Sequence, residues 1–283
     1  MKKLAKLIAL AATLAAAAQS RADDRTGDFA TDILAVGNSY ALASASISSE
    51  LSDYTRKSKR GTIYPGSYES HMTTGTMTVR HGLFENTDIT ASLPYQPAYD
   101  FTLAYAGSPP QKVDNERGWG SPSVRIAYGL LRDASKPYSV AVSLTGVADM
   151  MGNSTGGVTP SLDFGYKLDA ASRLYATINL YYPLRGTGST QEQLRLGGQY
   201  DFTPSLTLDL SARHTHLNST SMYETFHKTS AQLDLFYKIT DNFYVSPSFI
   251  NEWRSDKANK SGIGVYKSTS DIRAYALSIK YLF

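Results

Sequence analysis

The feature that most constrains this chain is an alternation of apolar and polar residues that recurs from residue 40 to residue 283. The segment 206–211 reads Leu-Thr-Leu-Asp-Leu-Ser, and the segment 161–168 reads Ser-Leu-Asp-Phe-Gly-Tyr-Lys-Leu. A period of two places successive side chains on opposite faces of a β-strand, whereas a helical period fits neither segment. The sequence therefore predicts an all-β fold whose strands each have one apolar and one polar face.

The connections between the alternating segments are short and long in turn. The short ones include 169–172, 203–205 and 240–242, and the long ones include 55–69, 96–120 and 214–228. Bacterial outer-membrane barrels have short periplasmic turns, longer extracellular loops and an even number of strands. We therefore predict a transmembrane antiparallel up-and-down β-barrel of about 12 strands, with both termini in the periplasm. The predicted strands cover residues 40–54, 70–81, 88–95, 121–131, 137–148, 157–168, 173–183, 191–202, 206–213, 229–239, 243–253 and 271–283.

Tyrosines close several of these strands just before a short turn or at the end of the sequence. They recur every 34 to 44 residues, at Tyr128, Tyr166, Tyr200, Tyr237 and Tyr281. Such a ring of outward aromatic residues is typical of the boundary between a membrane and water. The alternative is a soluble β-sandwich, whose strands also alternate but are usually shorter, at about 5–6 residues.

Two prolines lie inside predicted strands, Pro160 in 157–168 and Pro247 in 243–253. Proline has no N–H group and removes one hydrogen bond from the ladder of a sheet. We therefore expect a bulge or a strand end at each of these positions.

Residues 1–22 have the pattern of a secretory signal peptide. Basic residues at positions 2–6 precede an apolar stretch at 7–18 and a small-x-small sequence at 20–22. The alternative, a short membrane anchor, needs about 20 apolar residues, more than this stretch provides. The whole sequence has 28 Lys and Arg against 25 Asp and Glu, a formal charge of +3, and the four basic residues of 1–22 account for that excess. The remainder carries −1, so we expect no nucleic-acid partner.

The predicted organisation is a signal peptide at 1–22, an N-terminal segment at 23–39 and an outer-membrane barrel at 40–283. In the N-terminal segment, Phe29, Ile33 and Val36 fall on one helical face, and Gly37 follows as a candidate cap. We expect a short helix here, which either plugs the barrel or forms a periplasmic tail.

The last ten residues resemble the C-terminal assembly signal of Gram-negative outer-membrane proteins. They alternate in period two and end on Tyr281-Leu282-Phe283. The resemblance implies that Tyr281 and the final aromatic residue, Phe283, are recognised by the barrel-assembly machinery. It also implies a cell outer-membrane location, with outer-membrane lipid as a further partner.

A narrower resemblance concerns about 50 residues and the hairpin layout. The motifs that carry it are Arg80-His81-Gly82-Leu83, Ala91-Ser92-Leu93-Pro94-Tyr95, Gly118-Trp119-Gly120-Ser121-Pro122 and Tyr128-Gly129-Leu130-Leu131. They are similar to the outer-membrane family called the MetA-pathway of phenol degradation. The resemblance implies a channel or transporter for passive or facilitated diffusion of small molecules, with hydrophobic or aromatic compounds as candidate solutes.

If the apolar face of each strand meets lipid, the polar face lines the lumen. By this parity the candidate lumen residues are Arg80, Arg125, Asp163, Arg195, Asp209, Arg213 and Asp234. They either border a narrow aqueous path for a small-molecule solute or cross-link the interior, with Arg125 and Arg195 paired to Asp163 or Asp209. Because both signs of charge occur in similar number, no strong ion selectivity is predicted.

The loop 214–228 holds the residues that an outer-membrane enzyme would need, namely His214, His216, His227, Ser219 and Ser221. A Ser–His pair could hydrolyse an ester, and three histidines could hold a metal, but no specific motif is present. The sequence has no cysteine, which excludes thiol catalysis and cysteine-ligated metal centres. We predict no catalytic site, no metal and no cofactor, with an outer-membrane hydrolase and a structural or adhesin barrel as the alternatives.

Overall fold

The computed structural model of the chain describes residues 31–57, 61–105, 109–114, 118–131, 136–148, 156–184, 189–219, 224–255 and 264–283. The predicted signal peptide and residues 23–30 lie outside these ranges. No helix in the described part of the chain is long and apolar enough to span a membrane. The strands are β1 Ser39–Lys57, β2 Ile63–Phe84, β3 Thr87–Tyr105, β4 Gln111–Asp114, β5 Gly118–Trp119, β6 Ser123–Leu131, β7 Tyr138–Val147, β8 Gly157–Lys167, β9 Ser172–Pro183, β10 Gln191–Thr203, β11 Leu206–Leu217, β12 Phe226–Thr240, β13 Phe243–Arg254 and β14 Gly264–Leu282.

Twelve of these strands close into one antiparallel barrel, which confirms the predicted fold class. Each strand pairs with its neighbours in sequence, and β1 closes the barrel against β14, with Tyr40 opposite Leu282. The two short strands, β4 and β5, pair only with the extracellular half of β3, beyond the part of β3 that pairs with β6. The barrel wall is therefore continuous around its whole circumference.

The barrel wall is taller on one side than on the other. β1, β2, β3 and β14 have 19 to 22 residues, whereas β6 has 9 and β7 has 10. Several predicted strands are too short as a result: the sequence predicted a start at 70 for β2 and at 271 for β14, but they begin at Ile63 and Gly264. The added parts extend past the lipid-facing belt, where neither face needs apolar residues, so the period-two signal is absent.

The outward faces carry the apolar belt that the alternation predicts. On β6, Val124, Ile126, Tyr128 and Leu130 are all exposed, whereas inward Ala127 is buried. The tyrosines before the short turns, from Tyr128 to Tyr281, are about half exposed on the same outer surface. An aromatic ring at one end of an apolar belt marks the membrane interface of an outer-membrane barrel.

Both prolines lie in mid-strand, so the expectation of bulges or strand ends was wrong. Pro160 pairs with Leu144 of β7, and the pairing of β8 with β9 continues in the same register on either side of the proline. Pro247 likewise pairs with Leu277 of β14, with an unshifted register against β12. The missing N–H interrupts the ladder only on the side that the proline nitrogen faces, so each strand continues straight.

Residues 31–38 lie inside the periplasmic end of the barrel in a non-helical conformation. Ile33 is buried against the inward Ala127 and Ala141, on β6 and β7. Leu34 packs on the opposite side, against the cluster of Tyr40, Tyr244 and Leu282. Consecutive side chains of this segment thus contact two opposite walls. The expected helix is absent from residues 31–38, although Gly37 has the positive φ, +81°, expected of a cap.

Candidate channel lumen

The periplasmic end of the lumen is held by a buried ion pair. Arg80 Nη2 on β2 lies 2.7 Å from Asp88 Oδ2 on β3, and their side chains are 6% and 0% exposed. The same carboxylate oxygen accepts the backbone N–H of Leu34 at 3.1 Å, and Arg80 also donates to the carbonyl of Asp32. A buried charge needs hydrogen-bonding partners, and here the backbone of the N-terminal segment supplies one to each member of the pair.

Glycine at position 82 allows this segment to approach the wall. A Cβ atom on Gly82 would lie 2.0 Å from the carbonyl oxygen of Ala35, so no larger residue fits while the segment is in place. Backbone hydrogen bonds join Gly37 N to Gly82 O at 3.0 Å and Gly82 N to Asn38 O at 2.9 Å. Sequence reasoning missed this role of Gly82, because the position of the segment depends on the closed barrel.

The structure brings two of the predicted lumen residues together on neighbouring hairpins. Arg125 Nη2 on β6 lies 3.4 Å from Asp163 Oδ2 on β8, diagonally across β7, where Arg125 stands opposite Thr145 and Asp163 opposite Ala141. The second oxygen of Asp163 accepts the hydroxyl of Thr177 at 2.7 Å. This carboxylate is therefore satisfied by one charged and one neutral donor, and it stiffens the wall from β6 to β9.

A second group surrounds Asp209 on β11. Its oxygens accept the Tyr175 hydroxyl at 2.8 Å and the Gln199 amide at 3.0 Å. Arg195 Nη2 lies 4.0 Å away, at the limit of an ion pair. The same arginine donates through Nε to Ser211 Oγ at 3.2 Å, and its guanidinium carbon lies 5.2 Å from the Tyr175 ring centre. Asp209 thus relies on neutral donors, which leaves part of the positive charge of Arg195 uncompensated.

The remaining two predicted lumen residues lie beside this group on the β11–β12 pair. Asp234 stands directly opposite Asp209 in the register, and its oxygens accept the Gln232 amide at 2.8 and 3.1 Å. Arg213 stands directly opposite Arg195 on β10. Its Nε atom is buried and has no hydrogen-bond partner among the described residues.

The lumen contains a cavity of about 440 Å³. Two kinds of wall face each other across it. One, from β9 to β12, presents Tyr175, Arg195, Asp209 and Asp234. The other, from β1, β13 and β14, presents Lys280 and mainly small residues, Ser44, Ser46, Ser246, Ser248, Ala276 and Ser278. Twelve strands enclose more space than the eight whose interior side chains can fill, and the small residues of the second wall leave that space open.

The histidines of the predicted loop 214–228 lie on the outer surface of the barrel. β11 runs to Leu217 and β12 starts at Phe226, so His214, His216 and His227 belong to strands and not to a loop. His214 Nδ1 is 3.0 Å from Thr229 Oγ1, and His216 Nδ1 is 3.2 Å from His227 Nδ1. The loop prediction was wrong because polar residues on both faces above the lipid hide the strand pattern.

Of the two predicted serines, the structure describes Ser219 alone. Ser219 is exposed after the end of β11, without a hydrogen bond to a histidine, and Ser221 lies outside the described residues. Within the described ranges no three His, Cys, Asp or Glu side chains are arranged to hold a metal ion.

The C-terminal residues complete the seam at which the barrel closes. Backbone hydrogen bonds join Phe283 N to Ser39 O at 2.9 Å and Ser39 N to Phe283 O at 3.1 Å. Tyr281 points outward, and its ring is stacked near that of Phe283, with centroids 6.3 Å apart. Recognition of these two residues by the assembly machinery stays a prediction.

Comparison with solved structures identifies the fold as that of outer-membrane channels. The structure matches the COG4313 outer membrane channel from Pseudomonas putida F1 with a TM-score of 0.63 at 11% identity, covering 89% of this chain and 98% of that one. Weaker matches include the CymD monoaromatic hydrocarbon channel, with a TM-score of 0.48 at 10% identity over 88% and 89% of the two chains. The KdgM porin follows, with a TM-score of 0.47 at 10% identity over 84% and 98%. The protein has the fold of an outer-membrane β-barrel.

Comparison at the level of sequence gives no match, either to protein-family models or to curated proteins. The resemblance to the MetA-pathway family therefore stays a prediction. Two of its motifs are adjacent in the structure: the rings of Tyr95 and Trp119 are 4.9 Å apart, and Gly120 N donates to Pro94 O at 2.9 Å. These motifs fasten β5 and the segment after it to the middle of β3.

Proposed function

We propose that the protein is a channel for the passive or facilitated diffusion of small molecules across the outer membrane. The observation that carries the proposal is the cavity inside a closed barrel, with charged residues on one wall and mainly serines, together with Lys280, on the other. Hydroxyl groups replace part of a solute's hydration shell without a strong preference for one charge, while their small size leaves the path open.

Small hydrophobic or aromatic compounds are the solutes that the resemblance favours, and the cavity lining supports them. Phe236, Tyr244 and Ile250 border the same space as Arg195 and Asp209. An apolar group can contact the rings while a polar substituent remains hydrogen-bonded. Amphipathic solutes suit such a lining better than fully hydrophobic or fully polar ones.

The N-terminal segment narrows the periplasmic end of this path in our proposal. Ile33 and Leu34 contact opposite walls, and the Arg80–Asp88 pair holds the backbone between them. Of the two sequence hypotheses, a plug and a periplasmic tail, these contacts support the plug. Solutes pass when the segment shifts or leaves.

Single-channel recording in planar bilayers tests both the channel function and the plug role of the N-terminal segment. We expect the chain without residues 1–22 to conduct, and the chain that also lacks 23–37 to carry a larger current. No current from either chain, when both migrate as folded barrels in unheated gels, contradicts the channel and favours a structural or adhesin barrel. Equal currents contradict the plug alone.

Hydrolysis by the outward histidines forms no part of this proposal. Their partners are each other and Thr229, and none of them faces the lumen. We expect the protein and its His214→Ala/His216→Ala variant to give the same background rate on phospholipid and ester substrates. A rate that falls to background only in the variant would revive the hydrolase alternative.

A further inference from the structure

Two arginines lie side by side in the lumen, at the cavity that Arg195 lines. The register of β10 and β11 places Arg195 directly opposite Arg213, with both side chains on the inward face. Like charges directly opposite each other destabilise a sheet. The repulsion between the two arginines therefore lowers the stability of the barrel, and a neutral residue at either position would remove it.

The positions around Arg213 provide no counter-charge. Its partner on β12 is Ser230, and the inward residues next to it on its own strand are Ser211 and Thr215. The inward positions diagonal to it are Gln193 and Gly197 on β10, with Lys228 and Gln232 on β12. Every position that adjoins Arg213 in the sheet is thus neutral or basic.

The nearest acidic residues act on Arg213 only at longer range and already have partners. Glu252 and Asp234 attract its charge through space. Glu252 accepts Arg254 Nε at 2.8 Å, and Asp234 accepts the Gln232 amide. The Nε of Arg213 remains buried without a partner among the described residues. A buried donor left unsatisfied is destabilising, so an anion that reached it would stabilise the lumen.

The other inward arginines differ in this respect. Arg80 pairs with Asp88 and Arg125 with Asp163, and Arg254 contacts both Glu50 and Glu252. Each of these arginines lies within 3.4 Å of at least one carboxylate. Among the described residues, Arg195 and Arg213 have no carboxylate that close, and Lys280 adds a further positive charge to the lining of the same cavity.

A further basic residue lies on the extracellular side of the two arginines. Lys228 on β12 is about two residues closer to the extracellular end than Arg213. Like charges along a low-dielectric wall raise the local concentration of the opposite ion. Below Arg195, the Tyr175 ring and the cavity offer space for an apolar body.

We propose that Arg195 and Arg213 form a carboxylate-binding site in the lumen, and that the channel prefers small organic monoanions with an apolar or aromatic body. The proposal rests on the channel function and adds the chemical class of its solute. A guanidinium presents its donors in a planar fork that matches a carboxylate. Two such forks side by side bind one carboxylate and repel cations.

The test uses planar bilayers under a potassium chloride gradient, with sodium benzoate as the probe. We expect the reversal potential to lie near the equilibrium potential of chloride, and we expect benzoate to block the chloride current. The Arg213→Gln change should weaken the block about tenfold or more, since a charged hydrogen-bond donor is lost. It should also move the reversal potential towards the equilibrium potential of potassium. Arg213→Lys should retain the selectivity but bind benzoate more weakly, because it keeps the charge and loses the fork.

The matched control is Arg273→Gln, which removes an arginine from the outer face of β14. Arg273 is exposed and pairs only loosely with Asp271, at 3.5 Å. Selectivity and block that are the same in Arg213→Gln, Arg273→Gln and the unmodified channel would overturn the proposal while leaving the channel function intact. If no form conducts, the channel function fails. Benzoate titration of the purified barrel by calorimetry then decides the site, with equal binding by the Arg213→Gln and unmodified barrels overturning it.

Discussion

The two ends of the lumen use the same residue types in opposite ways. At the periplasmic end, Arg80 donates through Nη2 to Asp88 and to the backbone of the N-terminal segment. Farther up, Arg195 and Arg213 face each other, and the carboxylate nearest to Arg195, that of Asp209, is 4.0 Å away. Charge alone therefore does not identify the residues that meet a solute. A lumen arginine with a close carboxylate holds the barrel together, and one without a close carboxylate is available to a ligand.

Breaking the periplasmic pair should have the largest effect. Asp88→Asn leaves the buried Arg80 without its counter-charge, and removal of one partner of a buried pair costs about 3–5 kcal/mol. We expect a loss of that size in the free energy of unfolding, measured by denaturant titration in lipid vesicles. The double change Arg80→Met/Asp88→Leu should recover much of it. A double variant as unstable as the single one would show that the unpaired charge of Arg80 does not cause the loss of stability in Asp88→Asn.

A partnered and an unpartnered arginine can be compared directly with the same substitution. Arg125→Gln leaves Asp163 with Thr177 alone and should destabilise the barrel by roughly 1.5–3 kcal/mol, as expected for a lost charged hydrogen bond. Arg213→Gln removes a like-charge contact with Arg195 and a buried donor without a partner among the described residues, so it should leave stability unchanged or raise it. Equal losses in the two variants, measured by the same titration, would remove the distinction between structural and ligand-binding arginines.

The N-terminal segment provides a third test through Gly82. Gly82→Ala places a methyl group against the Ala35 carbonyl, and overpacking of this kind costs about 1–3 kcal/mol. The segment should move away from the wall, so its cleavage by an added protease should speed up and the single-channel current should rise. Gly146→Ala is the control, because a Cβ atom there meets nothing within 4 Å. If both variants behave like the unmodified protein, the segment does not occupy the wall at Gly82.

The smallest effect concerns a carboxylate outside the lumen. Asp169, in the turn between β8 and β9, accepts the backbone N–H groups of Ala171 and Ser172, and these hydrogen bonds lower its pKa. A lowered pKa stabilises the fold above the pKa of the unfolded chain, and this stability is lost as the pH falls through the folded value. Asp169→Asn should therefore flatten the acidic part of the stability–pH curve slightly. An unchanged curve would contradict the role of these hydrogen bonds.

The period-two pattern was enough to predict the lipid-facing part of the barrel, because lipid demands apolar residues on one face of every strand. It missed the extracellular parts of β2 and β14, where apolar and polar residues do not alternate. The alternation of inward and outward residues was enough to place Arg195 and Arg213 in the lumen. Their juxtaposition, however, depends on a one-residue register shift between Asp201 and Thr203. Without that bulge Arg195 would stand opposite His214, and no sequence pattern marks the shift.

The N-terminal segment shows the same limit. Its apolar residues suggested one helical face, yet Ile33 and Leu34 are adjacent in sequence and contact opposite walls of the barrel. An extended chain across a lumen satisfies its backbone through the barrel wall, at Gly82 and Asp88. Such partners exist only after the barrel has closed, so local propensity favoured the wrong conformation.

The access of water-soluble reagents to the lumen tests the proposed solute path most directly. The chain has no cysteine, so Ser248→Cys places a single thiol on the serine wall of the cavity. We predict that a charged thiol reagent added to intact cells labels this cysteine from outside. In reconstituted barrels, reagent on the periplasmic side should label it rapidly only when residues 23–37 are deleted. A thiol that reacts from neither side in either form would contradict a solute path through this lumen.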